Sequence, residues 1–294
     1  MKYLIIEADD FGLTPGINRA IRETIAAGIV SSTSVCMNGP CCGEAKDLQT
    51  KNSKISIGIH LNISIGKPLS YPGQIRTLVN PDTQQFWNEK VLIHKIIKGR
   101  IQLSEVEKEL SAQVEKALEL GLTISHLNSH QNLHRFPSLL PVFLKVGIEH
   151  KITTIRSLNV YHVRAIKHTK LLISFAETIR NTIIHLYQVA SVIYARRRGF
   201  HMADRLISFD LLNDGKYSVV NWMKTFKYLP EGINEIYVHP AYPDKDLQNY
   251  SDYLQERDME RRVLEALHDE DLLTKFGINL ISYNDMNQMM KKKR

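Results

Sequence analysis

The sequence contains little cysteine and no long apolar run. Its three cysteines are Cys36, Cys41 and Cys42, and an odd number with an adjacent pair is typical of reduced thiols in a cytosolic protein. Three clustered thiols without a fourth partner also argue against a Cys-only zinc site, so we interpret them as core and loop residues. The first apolar run, at residues 3–6, is too short for a signal peptide, and no stretch approaches the roughly 18 apolar residues of a membrane span. We therefore expect a cytoplasmic protein without a membrane span.

A glycine-rich dinucleotide motif is also missing. No Gly-x-Gly-x-x-Gly segment follows the first apolar run, which removes the main sequence support for a dinucleotide-binding fold. The net charge of +7 does not by itself indicate nucleic-acid binding, because the excess lies in short runs at residues 95–100, 196–198 and 291–294. No aromatic residues alternate with these basic residues, as a single-strand binding surface would require. We therefore expect solvated basic faces and no nucleic-acid partner.

Short aliphatic or β-branched runs alternate with longer helix-periodic segments along the whole chain. This alternation predicts an α/β fold built as a TIM-like (β/α) barrel, whether complete, incomplete or distorted, in a single domain over residues 1–294. Residues 63–87 and the basic helical segment near 161–198 are expected to be insertions at the barrel mouth. The predicted strands cover residues 3–7, 33–37, 55–60, 123–127, 153–156, 235–238 and 278–282. The predicted helices cover residues 15–27, 43–48, 104–120, 138–145, 163–197, 220–226 and 250–268.

Polar and titratable residues follow nearly every predicted strand. In a (β/α) barrel the loops after the strands converge on one mouth, where the chemistry is located. We therefore expect these residues to lie near one another. In chain order they are Asp9 and Asp10, Asn38, His60 and Asn62, the histidines His126, His130 and His134, then Arg156, His239, Tyr283 and Asp285.

Two histidines and one carboxylate from three strand ends predict a divalent-metal site formed by Asp10, His60 and His130. Imidazole ligands favour zinc, cobalt, nickel or iron, while the carboxylate keeps magnesium and manganese open. Asp9, next to the metal, is suited to accept a proton from a water molecule, and His239 to protonate a leaving group or stabilise an oxyanion.

Each residue also has a structural interpretation. Paired aspartates after a strand often form only a turn and a helix cap, and a histidine at the end of an apolar run is often a hydrogen-bonded core residue. His126, His130 and His134 would share one face if their segment were helical. Arg156 is suited either to anchor a substrate carbonyl, to orient Asp9 or to form a structural ion pair. The joint occurrence of these residues at strand ends favours a functional site.

The sequence resembles the YdjC-like carbohydrate deacetylase family, which includes chitooligosaccharide deacetylases. The resemblance runs from residue 3 to about residue 286 and rests on the segments EADDFGLTPGINRAI, TSVCMNGP, IGIHLNIS, ISHLNSHQNLHRFP, TIRSLN, YVHPAY and LISYNDM. It implies a TIM-like barrel and one divalent metal, usually magnesium, with zinc in related deacetylases. The implied reaction removes the N-acetyl group from an amino sugar or a short N-acetylglucosamine oligomer and releases acetate.

The resemblance assigns the metal to Asp10, His60 and His130, the general base to Asp9 and a further catalytic role to His239. Candidate substrate-binding residues are Arg156, His134 and Asn62. The chain departs from the family pattern at three positions, where Glu7 replaces the common Asn, Asn128 the common Asp and Asn132 the common His. The changes at Asn128 and Asn132 leave open a carbohydrate-binding or regulatory barrel without turnover. The same metal chemistry leaves a metal-dependent phosphoesterase as a second alternative. The oligomeric state is also open, with a homodimer among the alternatives.

Overall fold

The computed structural model describes residues 1–162, 175–209, 215–267 and 272–292. Within these ranges the strands are β1 (Lys2–Phe11), β2 (Ser32–Val35), β3 (Ser56–Leu61), β4 (Leu127–Ser129), β5 (Val160–His162), β6 (Arg205–Ser208), β7 (Gly232–Val238) and β8 (Ile278–Leu280). They form one curled parallel sheet in the order β4-β3-β2-β1-β7-β6-β5, and β8 pairs with the beginning of β1. The predicted α/β class is therefore confirmed, and the curled sheet is consistent with an incomplete barrel.

Helices flank this sheet. They are α1 (Pro15–Ala26), α2 (Ala45–Lys51), α3 (Glu89–Ile97), α4 (Leu103–Glu119), α5 (Leu140–Glu149), α6 (Phe175–Arg197), α7 (Val219–Tyr228), α8 (Gln255–Ala266), α9 (Leu272–Lys275) and α10 (Tyr283–Lys292). The start of α1 follows the sequence signal, because the Thr14 hydroxyl accepts a hydrogen bond from the Ile17 N–H and Pro15 occupies the first helical position. The helix buries Ile17 and Ile21 against the sheet.

Strand register aligns the residues that follow the strands. Ala8 in β1 pairs with Val238 in β7, so Asp9 near the end of β1 lies at the level of His239, the residue after β7. His60 in β3 pairs with Asn128 in β4. Because all these strands run in the same direction, their polar ends meet at one edge of the sheet.

The strand predicted over residues 123–127 is displaced in the structure. It begins at Leu127 and continues through Asn128 and Ser129, both of which are buried. The Asn128 amide and the Ser129 hydroxyl find hydrogen-bond partners in the interior. The strand can therefore continue through polar residues, which an apolar pattern does not reveal.

The segment predicted as a strand over residues 153–156 forms isolated bridges. Ile155 pairs in parallel with Leu127, and Thr154 pairs with His201. The Arg156 N–H also donates to the Leu127 carbonyl at 2.9 Å. The segment thus extends the sheet beyond β4 without becoming a regular strand, while β5, β6, α3, α9 and α10 are elements that the sequence pattern does not predict.

Two predicted insertions have different outcomes. Residues 63–87 form a long loop with one short 3-10 turn at Pro72–Gln74, and Ser64 and Ile65 within it line the cavity described below. The helix predicted over residues 163–197 is described from Phe175 to Arg197, and residues 163–174 lie outside the described part of the chain. No helix in the described ranges combines the length and the apolar character needed to cross a membrane.

Candidate active site

A cavity of about 660 Å³ opens at the carboxyl ends of the strands. Asp9 and Asp10 near the end of β1 and His60 in β3 line it, together with His130 after β4 and His239 after β7. These are the residues to which the sequence assigns metal binding and proton transfer. Their convergence follows from the parallel direction of the strands.

Asp10 is the centre of this group. Its Oδ1 lies 3.1 Å from Nδ1 of His130 and 3.3 Å from Nε2 of His60, while its Oδ2 accepts a hydrogen bond from Nη2 of Arg257 at 2.7 Å. Burial raises the pKa of Asp10, but the charges of Arg257 and His130 outweigh this effect. The pKa of Asp10 is therefore well below its usual value, and the carboxylate is ionised. Its φ of 73° lies in the left-handed region that non-glycine residues seldom adopt. Asp10 thus lies next to two imidazole nitrogens, and carboxylate and imidazole are both common ligands of divalent cations.

Asn128 determines the orientation of the His60 ring. The Asn128 Nδ2 lies within 3.0–3.1 Å of three acceptors on Glu7, Asp9 and Ser34. The amide oxygen must therefore face His60, whose Nδ1 lies 2.7 Å away. Because this oxygen can only accept, His60 Nδ1 carries the proton and Nε2 is directed towards Asp10. Burial lowers the pKa of His60, but the charges of Asp9 and Asp10 raise it above its usual value.

Cys36 is a further potential ligand that the sequence-based interpretation as a core residue overlooks. One ligand atom from each of Cys36, Asp10 and His60 lies within 4.8 Å of the other two. Cys36 is fully buried and does not line the cavity. Burial, followed by the charges of Asp10 and Asp9, raises the pKa of this thiol well above its usual value. This buried Asp-Cys-His group has the composition needed to hold a metal ion.

Arg156 holds Asp9 through both carboxylate oxygens. Its Nη1 and Nη2 donate to Oδ2 and Oδ1 of Asp9 at 2.8 and 2.7 Å, and its Nε donates to Glu235 at 2.7 Å. Burial raises the pKa of Asp9, but Arg156 and His60 lower it to a net value far below the ordinary one. Asp9 is therefore ionised and fixed in orientation. Of the roles open to Arg156 from the sequence, the geometry favours orienting Asp9, since the guanidinium is fully buried.

Lys216 contacts the His239 ring on its Nδ1 side. The Lys216 Nζ lies 2.9 Å from His239 Nδ1 and 2.8 Å from a carboxylate oxygen of Glu260. Because an ammonium group only donates, Nδ1 accepts and the ring proton lies on Nε2, which is 3.8 Å from Oδ2 of Asp9. Burial and the charge of Lys216 lower the pKa of His239 well below its usual value. The imidazole is therefore neutral at neutral pH, with its Nε2–H beside Asp9.

Comparisons with known proteins identify the family. The sequence profile described as YdjC-like protein matches residues 3–276. The chain belongs to the YdjC-like protein family. A carbohydrate deacetylase of Thermoanaerobacter pseudethanolicus is 29% identical over 273 residues, which cover 93% of each chain. One of Xenopus laevis is 28% identical over 310 residues, covering 96% of this chain and 97% of its own. A crystal structure from Enterococcus faecalis, provisionally named for cellobiose-phosphate cleavage, has a TM-score of 0.74 and 25% identity, and the match covers 97% of this chain and 98% of the other.

The remaining predicted substrate-binding residues of this YdjC-like protein lie behind the cavity wall. His134 is fully buried, and its Nδ1 lies 2.7 Å from the Ser129 hydroxyl. Asn62 is also buried, and its side-chain oxygen accepts the backbone N–H groups of Ser64 and Ile65, which shapes the loop after β3. Neither residue lines the cavity, and the same holds for Arg156. Their positions favour a supporting role over direct contact with a substrate.

The three histidines spaced four residues apart do not share one helix face. Gln131 and Asn132 have φ values of 55° and 51°, which break the segment after His130. His130 lines the cavity, whereas His126 Nε2 lies 2.7 Å from Glu7 and its ring stacks on Tyr283. We expected a common face only if the segment formed a helix, and its backbone is not helical at Gln131 and Asn132.

Three charged residues of the site are not indicated by the sequence pattern. Arg257 and Glu260 lie three residues apart on α8 and both line the cavity, as does Lys216. The spacing of Arg257 and Glu260 places them on one helix face, but it does not indicate which face meets the strand ends. Only the packing of α8 over the sheet edge brings Arg257 to Asp10.

Proposed function

We propose that the protein is a metal-dependent carbohydrate deacetylase, which hydrolyses the N-acetyl group of an amino sugar or of a short N-acetylglucosamine oligomer. The observation that carries the proposal is the convergence of His60 and His130 on one oxygen of Asp10 at the cavity wall, with Asp9 and His239 beside them. The names of the relatives support the substrate class, because the two relatives above are carbohydrate deacetylases.

Asp10, His60 and His130 are the residues that would hold the metal. A divalent cation bound there would polarise the acetamide carbonyl and increase the acidity of the attacking water. Arg257 leaves only Oδ1 of Asp10 available to the cation, because it occupies Oδ2. Family resemblance suggests magnesium, while the imidazole ligands favour zinc or another transition metal.

Asp9 is proposed as the group that accepts the proton of the attacking water. Arg156 and Ser34 fix its carboxylate, which lines the cavity next to Asp10. The low pKa of Asp9 keeps it ionised and ready to accept a proton, although it also makes Asp9 a weak base. Asp9 could therefore act as the base only towards a water molecule whose acidity a bound cation has already increased.

His239 is proposed to protonate the departing amine nitrogen. Its Nε2 carries the proton, and as this proton is transferred, Nδ1 can receive one from the ammonium group of Lys216 at 2.9 Å. The imidazole thus remains neutral, and Lys216 returns to its charged form when it regains a proton from solvent. An amide nitrogen leaves readily only once it is protonated, so this relay addresses the difficult step of the reaction.

The three cations nearest the two aspartates do not favour the phosphoesterase alternative. Such an enzyme needs cationic groups available to a phosphate. Arg156 is buried on Asp9 and Glu235, while Arg257 and Lys216 reach the cavity but pair with Asp10 and Glu260. Each of these three cations therefore already has a carboxylate partner.

An acetate-release assay tests the proposal. Purified protein with a measured metal content is incubated with N-acetylated chitobiose and related N-acetylated sugars, and acetate is quantified. We expect release by the parent protein and by Asp82→Asn, which changes a carboxylate in an exposed loop, but a loss of at least about 100-fold in Asp9→Asn. Sugar binding by calorimetry without acetate release from any sugar would instead support the carbohydrate-binding alternative.

A further inference from the structure

We infer that Cys36 is a ligand of the same cation as Asp10 and His60, and that the site consequently selects a thiophilic metal such as zinc or cobalt over magnesium. The inference rests on the proposed function, because it concerns the metal of that site. It concerns a cysteine that the family resemblance does not assign to the metal.

The backbone places Cys36 next to Asp10. Cys36 directly follows β2, which pairs in parallel with β1, and its N–H donates to the Phe11 carbonyl at 2.8 Å. This hydrogen bond holds the residue after β2 beside the residues at the end of β1. As a result the Sγ of Cys36, a carboxylate oxygen of Asp10 and a ring nitrogen of His60 all lie within 4.8 Å of one another.

Cys36 and His130 differ in their access to the cavity. His130 lines the cavity, whereas Cys36 is fully buried and does not. A cation bound to Asp10 and His60 could therefore take Cys36 as its inner ligand and His130 on the cavity side. The thiolate would leave the open side of the site to solvent and substrate.

The surrounding carboxylates favour a soft cation. Magnesium prefers oxygen ligands, usually one or two carboxylates completed by water, and the carboxylates near this pair are largely engaged. Arg257 occupies Oδ2 of Asp10, and Arg156 binds both oxygens of Asp9. One carboxylate oxygen, imidazole nitrogen and a thiolate remain, and this combination is typical of zinc and cobalt sites.

Cobalt(II) spectroscopy tests the inference independently of activity. Metal-free protein is titrated with Co²⁺, and bound cobalt is quantified. We expect a near-ultraviolet charge-transfer band from thiolate to cobalt that saturates at one equivalent. Cys41→Ser and Cys42→Ser are matched controls that should keep the band, because within the described ranges neither cysteine belongs to a metal-ligating group. Cys36→Ser should lose it.

The double variant Cys41→Ser/Cys42→Ser keeps the test decisive even if Cys36→Ser does not fold. Cys36 is then the only cysteine in the chain, so a band in this variant must come from Cys36. Stoichiometric Co²⁺ binding without the band, or a band that survives Cys36→Ser, would overturn the inference and leave the proposed metal site intact. Failure to bind any divalent cation would overturn both.

Discussion

Arg257 donates a 2.7 Å hydrogen bond to Oδ2 of Asp10, a residue 247 positions away in the chain. The opposite oxygen of the same carboxylate faces His60 and His130. One buried carboxylate therefore joins α8 to the strand ends and presents a single oxygen to a cation. Through Asp10, the stability of the fold is therefore linked to cation binding at the candidate metal site.

Arg257→Gln should destabilise the metal-free protein by about 3–5 kcal/mol, because it leaves the buried Asp10 charge without its partner. Added zinc should restore more stability to this variant than to the parent, since the cation would replace the missing positive charge. Urea denaturation with and without zinc measures both effects. Arg262→Gln on the same helix is the control, because Arg262 is 71% exposed and, within the described residues, forms its ion pair with Asp258. An equal zinc effect in parent and Arg257→Gln would contradict the expected coupling.

Asp9→Asn should lower stability most strongly at neutral pH. The folded-state pKa of Asp9 lies far below its ordinary value of 3.8, so its ionised form contributes stability above that value. This contribution is lost as the pH falls through the range between the ordinary and the folded-state pKa. The difference in unfolding free energy between parent and variant should therefore shrink on going from neutral pH to about pH 3. A difference that stays constant, or that grows in acid, would show that Asp9 is not held by Arg156 as the geometry indicates.

Lys216→Met should raise the pKa of His239 towards its ordinary value of 6.5, because it removes the positive charge that, after burial, lowers this pKa most. Titration of the imidazole protons by NMR measures this change. In the parent, His239 should remain neutral as the pH falls below 6.5, where the unfolded chain takes up a proton, so its contribution to stability declines towards acid.

The same Lys216→Met variant should reduce kcat by about 100-fold or more if the lysine supplies a proton through His239. KM should change little, because the effect lies in proton transfer. Lys224→Met is a control on the exposed face of α7. A variant that alters KM alone would assign Lys216 to substrate binding and not to the relay.

The effects of substitutions at Glu7 and Asn128 on stability should depend on each other. The family commonly has Asn and Asp at these two positions, and here Asn128 Nδ2 donates to Glu7 Oε1 at 3.0 Å. Asn128→Asp alone brings a second carboxylate against Glu7, and Glu7→Asn alone removes the acceptor of His126. We expect each to cost about 1–3 kcal/mol, and the double variant to recover about 0.5–3 kcal/mol of the summed loss.

A double-mutant cycle by urea denaturation measures this coupling. The control cycle combines Asn128→Asp with Glu107→Gln, which changes a surface carboxylate paired with Lys145. The control effects should be additive. Additivity in the Glu7 cycle as well would mean that the two departures from the family pattern are independent of each other.

The sequence predicted the residues that converge because they follow strands. Asp9, Asp10, His60, His130 and His239 stand at or after strand ends, and parallel strands bring such positions to one edge whatever the exact barrel type. Most strands and helices were also predictable from periodicity. The displaced β4 was not, because its polar residues are buried through hydrogen bonds and give no apolar pattern.

By itself, then, the sequence determined the α/β class, the family and the central polar residues, because alternating periodicity and strand-end motifs are local properties of the chain. The tertiary structure decided what those residues contact. It brought Arg257 to Asp10, Lys216 to His239 and Cys36 to the proposed ligands, and it placed Arg156 behind Asp9. These contacts depend on which face of α8 packs over the sheet edge and on the register between β1 and β2. Neither is encoded in residue spacing, because both result from the packing of segments distant in sequence.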